Sequence, residues 1–551
     1  MTDTSTVTLA GDRLLVDGRP FLIVGGELHN SSASSLAAIE TSFTTTAALG
    51  ATTILAPVAW EQFEPTEGEF DTTLVDAMLA EARALGVRLV LLWFGSWKNG
   101  MSSYVPVWVK LDRRRFPFAE LTPGVRTPVL SPFATTARDA DAAAFARLMA
   151  HLAEVDAEHT VLMVQVENEV GLLGAARDRS ATAEAAWAQP VPQAVIDAVA
   201  AHPAMPVHAD WVTAGSRREG TWADVFGDGD NAGEAFMAHA YATYIEDVAR
   251  AGRAHDPRPL FVNAWLAMPS AFGAMIEQIV AARRDAGDPL PEAMLTAVLE
   301  KFAVEGGVAP GRFPSGGPVG RVAPIWRTVA PTPAFLAPDI YHPDTESVCA
   351  EYYAASGALF IPECKRDADG IAGMFAAIGQ HRAFGVSPFG VDSTPGHADQ
   401  PGLVDAYAQL NAVAAAVRTS GHRPLGFALS AENPVAELDL GAWTMRVDTR
   451  AGLLPTGYPV YGLVVPLAAD EFLVTGRGFS PDFTAAGGGT VGLASVDELD
   501  ASGTVIRRLN GDETASGSQL RLPSLTPSSF PMPIPSAGGE TGILRVRLYT
   551  Y

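Results

Sequence analysis

Short, nearly unbroken apolar runs recur along the chain, and each ends abruptly in polar residues. The clearest is Thr160–Gly171, TVLMVQVENEVG, where Val161–Val166 stops at Glu167, Asn168 and Glu169. The others are FLIVG (21–25), TTILA (52–56), VRLVLLW (87–93), PLFVN (259–263), FLAPDI (335–340), ALFI (358–361) and FGV (384–386). Runs without polar alternation fit strands buried on both faces, the habit of parallel sheets. Between them, apolar positions take helical spacing: Leu36, Ile39 and Phe43; Val75, Met78, Leu79 and Ala82; Phe145, Leu148, Met149 and Leu152; and the stretch Leu403–Val417. Strand followed by helix, repeated eight times, predicts an α/β fold: a (β/α)8 TIM barrel with long βα-loop insertions. An open doubly wound sheet would need fewer strands and a glycine-rich phosphate turn, and none follows the first strand.

The texture changes after Pro424. Short runs such as VAELDL, WTMRV, EFLVTG and GILRVRLYTY alternate with Gly, Pro, Ser and Thr clusters, predicting an antiparallel β-sandwich-like domain over 424–551. The barrel takes 1–423, opening with a β-hairpin turned at Asp17-Gly18 and interrupted by insertions at about 172–258 and 266–308. Helical stretches are predicted at Phe272–Arg284 and Pro291–Phe302. Insertions after strand ends lie on the catalytic face and can shape its pocket.

The chain has 551 residues, 48% of them hydrophobic, enough for large cores. Its formal net charge of −24 argues against nucleic acid and anionic membrane surfaces as partners. The first residues lack a basic, apolar leader, and no run reaches the length of a membrane span, so the expected localisation is cytoplasmic. Two cysteines, Cys349 and Cys364, make neither a disulfide framework nor a metal spacing and are read as reduced, buried thiols. No His, Asp and Glu cluster has metal-ligand spacing, so no metal is expected.

Carboxylates at the tip of a buried strand are costly unless they are paired or do chemistry. Glu169 lies just past the fourth strand and Glu363 just past the seventh, and on a closed barrel those tips face each other. Two carboxyls about 5 Å apart, one protonated and one ionised, are what retaining glycoside hydrolysis requires. Aromatic rings at strand tips offer apolar faces to sugars: Trp60, Trp97, Trp265, Trp326 and Phe389 are candidates, with core packing as the competing role. Glu27, His29 and Asn30 at the first tip are candidates for bonding hydroxyls, with Asp339 and Asp392 as weaker candidates for which a turn or cap role is favoured.

QVENEVG resembles the fourth-strand motif of glycoside hydrolase family 35, the β-galactosidase family of the clan A barrels. TILAPVAWEQFEPTEGEFD (53–71), LLVDGRPFLIVGGELHN (14–30) and LFIPECKRD (359–367) resemble its second, first and seventh strand regions, and the similarity is to a bacterial subgroup with a C-terminal β-domain. The resemblance implies Glu169 as acid/base, Glu363 as nucleophile, Asn168 as the residue bonding the sugar 2-hydroxyl, and Tyr341 as a hydrogen-bond partner of the nucleophile. It also decides for Glu169 over Glu167, which is read as a buried, paired structural carboxylate. Typical members carry a Cys-Ala-Glu-Trp run after strand three; here that loop reads GSWKNGMSSYVPVW (95–108), and the second tip reads APVAW. The implied activity is a retaining exo-β-glycosidase with no organic cofactor, acting on a small oligosaccharide or glycoside. β-Galactosidase is the first reading, with β-glucosidase or transglycosidase as alternatives. A non-catalytic carbohydrate-binding protein and a metal-dependent barrel hydrolase are the rivals from other classes. The C-terminal domain is left open to binding sugar, packing on the barrel or mediating a homo-oligomer.

Overall fold

The apolar runs pair into one parallel sheet: β1 (Ile23–Glu27), β2 (Thr53–Ala59), β3 (Arg88–Phe94), β4 (Val161–Val166), β5 (Leu260–Trp265), β6 (Phe335–Asp339), β7 (Ile361–Cys364) and β8 (Gly385–Pro388). Neighbours follow the order β6-β5-β4-β3-β2-β1-β8-β7, and a parallel bridge between Ile340 and Cys364 joins the two ends into a ring. This computed structural model describes residues 6–267, 308–341, 344–393, 402–450, 458–523 and 539–551. The principal helices after each strand are α1 (Leu36–Ala48), α2 (Thr73–Leu85), α3 (Thr135–Val155), α4 (Asp230–Arg253), α5 (Ala323–Val329), α6 (Thr345–Ser356), α7 (Ala368–Gly379) and α8 (Leu403–Ser420). The fold is therefore the (β/α)8 barrel that the repeated strand–helix pattern implies.

Alternation hidden within the apolar runs decides which face each side chain takes. Ile54, Ala56, Leu89, Leu91 and Trp93 join the layer between sheet and helices. Leu55, Val90, Leu92 and Phe94 join a separate cluster inside the ring. Both faces are dry, which is why these strands lack polar positions. Phe261, Phe335, Phe360 and Phe384 fill the interior at the strand starts, with Phe261 and Phe335 stacked at 5.2 Å and Phe360 and Phe384 at 5.6 Å. The N-terminal hairpin (Val7–Ala10 with Arg13–Val16) adds Val7, Leu14 and Val16 to the same cluster and floors the barrel. Side chains plug that end, so the chemistry is left to the opposite one.

The C-terminal part forms a six-stranded antiparallel sheet and a three-stranded one around a second core that includes Phe427, Met445, Val464, Phe472 and Val546. It packs on the barrel flank. Tyr461 meets Phe375 of α7 at 4.5 Å between ring centroids, and Gln409 of α8 donates to the Thr541 carbonyl at 3.1 Å.

Several expectations shift. β1 and β7 lie two or three residues later than their apolar runs, because apolarity marks burial while the ladder starts where partners align, Ile361 with Val386. Glu27 and Glu363 consequently sit on strands rather than past them. The long loop after β3 holds a hairpin, Phe118–Thr122 with Val125–Leu130. The 172–258 segment is not all insertion, since its last part is α4. The helices predicted at 272–284 and 291–302 lie outside the described residues. Cys349 and Cys364 are both free and buried, and burial pushes the Cys349 thiol up to about 12. Among the described residues no helix is long and apolar enough to cross a membrane.

Candidate active site

The strand-four tip departs from extended backbone as soon as β4 ends. Glu167 and Glu169 both have positive φ, 61° and 47°, a region few residues other than glycine favour. The backbone therefore turns between them and the two carboxyls part company. Glu167 points to the loop after β3 and accepts the N–H groups of Ser96 at 3.0 Å and Trp97 at 2.7 Å. Burial, together with the neighbouring Asp141 charge, holds its pKa well above the ordinary range. It is the paired structural carboxylate.

Glu169 turns into the barrel mouth. One oxygen from each of Glu169, Asp339 and Glu363 lies within 4.8 Å of the other two. The Glu169 N–H donates to Asn263 Oδ1 at 2.9 Å, and Asn263 Nδ2 donates to Asp339 Oδ2 at 2.7 Å, so the end of β5 braces both acids. Glu363 accepts the Tyr341 hydroxyl on Oε2 at 2.9 Å and Asn168 Nδ2 on Oε1 at 3.4 Å. The Lys98 ammonium stands 3.8 Å from Glu363 Oε1.

Burial, and after it the charge of Glu363, pushes the Glu169 carboxyl up to about 8. The same two causes hold Glu27 well above the carboxylate range, and burial with the charges of Glu363, Glu169 and Glu27 does so for Asp339. Glu27 is 1% exposed and neither of its oxygens accepts a hydrogen bond, which suits a protonated acid beside Glu363. The arrangement gathers carboxyls whose pKa values are raised around Glu363, which is itself ringed by donors. Such a site can deliver a proton and an anionic nucleophile to opposite sides of one bond.

Residues 403–521, which take in α8 and much of the C-terminal domain, match a family described as a domain of unknown function (DUF5597). No curated protein matches the sequence. Among solved structures, the chain is similar to a β-galactosidase from Bacillus circulans sp. alkalophilus, at 12% identity and a TM-score of 0.41 over 67% of this chain and 50% of that one. It is similar to a β-galactosidase from the psychrophilic Marinomonas ef1, at 12% identity and 0.44 over 72% and 60%. It is also similar to an exo-β-1,4-mannosidase, Op5Man5, from Opitutaceae bacterium strain TAV5, at 16% identity and 0.37 over 70% and 54%. The chain spans between 50% and 60% of the length of these proteins.

The aromatic candidates separate. Trp60, Trp97 and Trp326 are fully buried, in keeping with the core-packing role weighed against sugar stacking. Their indole N–H groups are used internally, by Glu64 Oε2, the Leu130 carbonyl and the Gly316 carbonyl. Trp97 packs against Tyr241 and Tyr244 of α4 at 5.0 and 4.5 Å. Trp265 and Phe389 are half-buried, and Phe389 meets the His29 ring edge-on at 5.1 Å. His29 is exposed and bonds Ser393 Oγ at 2.9 Å, while Asn30 is half-buried beside it. Asp392 accepts the His29 N–H at 3.0 Å across 363 positions of sequence, a contact between the first and eighth strand tips. Asp339 instead belongs to the carboxyl cluster, which corrects its reading as a turn residue. Sequence spacing showed no acidic cluster because these carboxyls come from three different strand ends. Asn263 and Lys98 were not singled out at all. A polar residue ending an apolar run was the available signal for Asn263, and a lone lysine in a strand-three tip was the signal for Lys98.

Proposed function

We propose that the chain is a retaining exo-acting β-glycosidase that cleaves terminal β-linked sugars by double displacement. The observation that carries the reading is the pair Glu169 and Glu363, with oxygens within 4.8 Å across the barrel mouth and with Glu169 holding its proton to about pH 8. Retaining enzymes keep their two carboxyls about 5–5.5 Å apart, whereas inverting ones leave room for a water. Glu363 attacks the anomeric carbon, and Glu169 protonates the leaving oxygen. Glu169 then takes a proton from the water that releases the sugar. Asn168, Tyr341 and Glu27 border the nucleophile and are assigned to holding it and the sugar hydroxyls.

β-Galactosides are the first substrates to try, because the strand-four and strand-seven motifs resemble family 35. β-Glucosides and transfer to a sugar acceptor are the alternatives. A panel of aryl β-glycosides separates these activities. Glu363→Gly is expected to lose turnover and to regain part of it with azide, giving a glycosyl azide of inverted configuration. An azide product of retained configuration would show that Glu363 is not the nucleophile. A metal-dependent hydrolase would lose activity in EDTA, and the carboxyl-pair mechanism predicts none lost.

A further inference from the structure

Lys98 is 5% exposed, and a buried ammonium persists only where it is paired. Its one ion pair among the described residues is with Glu363, at 3.8 Å, and there it makes no hydrogen bond. The ammonium also lies 5.0 Å from the centre of the Phe94 ring. The backbone that carries it is laced to the strand-four tip from both sides. Asn168 N–H donates to the Trp97 carbonyl at 3.2 Å, Gly100 N–H to the Glu169 carbonyl at 3.0 Å, and Lys98 and Met101 exchange backbone hydrogen bonds at 2.8 and 3.0 Å. The loop that presents the cation is thus tied to the residues that present Asn168 and Glu169, and side-chain freedom alone does not explain its position.

The groups facing the Lys98–Glu363 pair come from several sides of the mouth: Glu27 on β1, Tyr104 in the loop after β3, Glu169 beyond β4, Asp339 on β6 and Tyr341 after it. Burial alone would lower the Lys98 pKa, but the charges of Glu363, Glu169, Glu27 and Asp339 outweigh it, and the pKa is raised.

We propose that Lys98 is a positioning residue of the reaction: it keeps Glu363 an oriented anion through the buried ion pair and directs its ammonium donors to the hydroxyls of the bound sugar. The proposal rests on the glycosidase reading. It assigns to the loop after β3 a task that donor hydrogen bonds from Tyr341 and Asn168 cannot perform alone, since neither carries charge.

The test is the pH dependence of kcat/KM for the wild type, Lys98→Met and Lys98→Arg with an aryl β-glycoside. The acidic limb reports the ionisations that the free enzyme needs. Removing an opposite charge at this range should move that limb up by about 1–3 pH units in Lys98→Met, while Lys98→Arg keeps it near its original place. Melting temperatures of Lys98→Met, Glu363→Gln and the double variant provide a readout without turnover. The double variant should be less damaged than the sum of the single ones, because each single change leaves an unpaired buried group. An active wild type whose acidic limb stays unmoved in Lys98→Met overturns this proposal alone. Strictly additive melting shifts overturn it as well. A wild type inactive on the whole glycoside panel sinks the glycosidase reading and this proposal with it.

Discussion

Glu169 shows how one residue's surroundings set its task. Its proton is retained to about 8 by burial and by the nearby Glu363 charge, so the basic limb of kcat/KM should fall near that pH as the acid is lost. A flat profile through pH 9 would contradict the acid role. The same shift bears on stability. A carboxyl whose folded-state pKa is raised from 4.5 to about 8 stabilises the fold fully below about 4.5, and that contribution is lost as pH rises through 8. Melting temperature should therefore depend less on pH between those values in Glu169→Gln than in the wild type. In Glu169→Ala, glycosides with poor leaving groups should lose about 100- to 10,000-fold, and those with good leaving groups far less, because they need little protonation. Equal losses would argue against proton donation.

At the scale of elements, the strand-four tip and the loop after β3 act as one piece. Gly95 leaves no room for a side chain: a Cβ there would lie 2.4 Å from Glu167 Oε1 and from Trp93 Nε1. Gly95→Ala should cost about 1–3 kcal/mol through overpacking and should lower kcat as well, because the displaced loop carries Lys98 and is bonded to Glu167. Unfolding curves and kinetics on the same preparation check both. Asn263 joins the end of β5 to this piece. Asn263→Ala strands the Glu169 N–H and one Asp339 oxygen without partners, a loss of about 1–3 kcal/mol with a fall in activity. Unchanged activity would mean that Glu169 needs no such brace.

At the scale of the whole molecule, the C-terminal β-domain is packed on the outer helices, away from the carboxyl cluster. Tyr461, 2% exposed, packs its ring at a tilt against Phe375 of α7, while Arg477 pairs with Asp405 of α8 at 2.6 Å. Tyr461→Ala should lower stability by about 3 kcal/mol or more, as large buried aromatics do, while kcat on a small aryl glycoside changes little. A large fall in kcat at unchanged folded content would instead tie this domain to the chemistry.

The order of strands and helices could be read from the chain because burial on two faces leaves a continuous apolar signature, and polar tips stand out against it. That pattern was enough to select the ends of β4 and β7 and to pick Glu363 and the Glu167–Glu169 segment. Which tip residues meet was decided only in three dimensions. Closure of the ring brings Asn168 to Glu363 across 195 positions of sequence. Left-handed backbone at Glu167 and Glu169 separates two carboxyls that a regular strand would aim the same way. Side-chain direction at a strand end depends on such local turns and on neighbours distant in sequence. For that reason Asn263 and Lys98 reached the centre unannounced and Asp339, a weak candidate, joined them, while Trp60, Trp97 and Trp326 turned into the core.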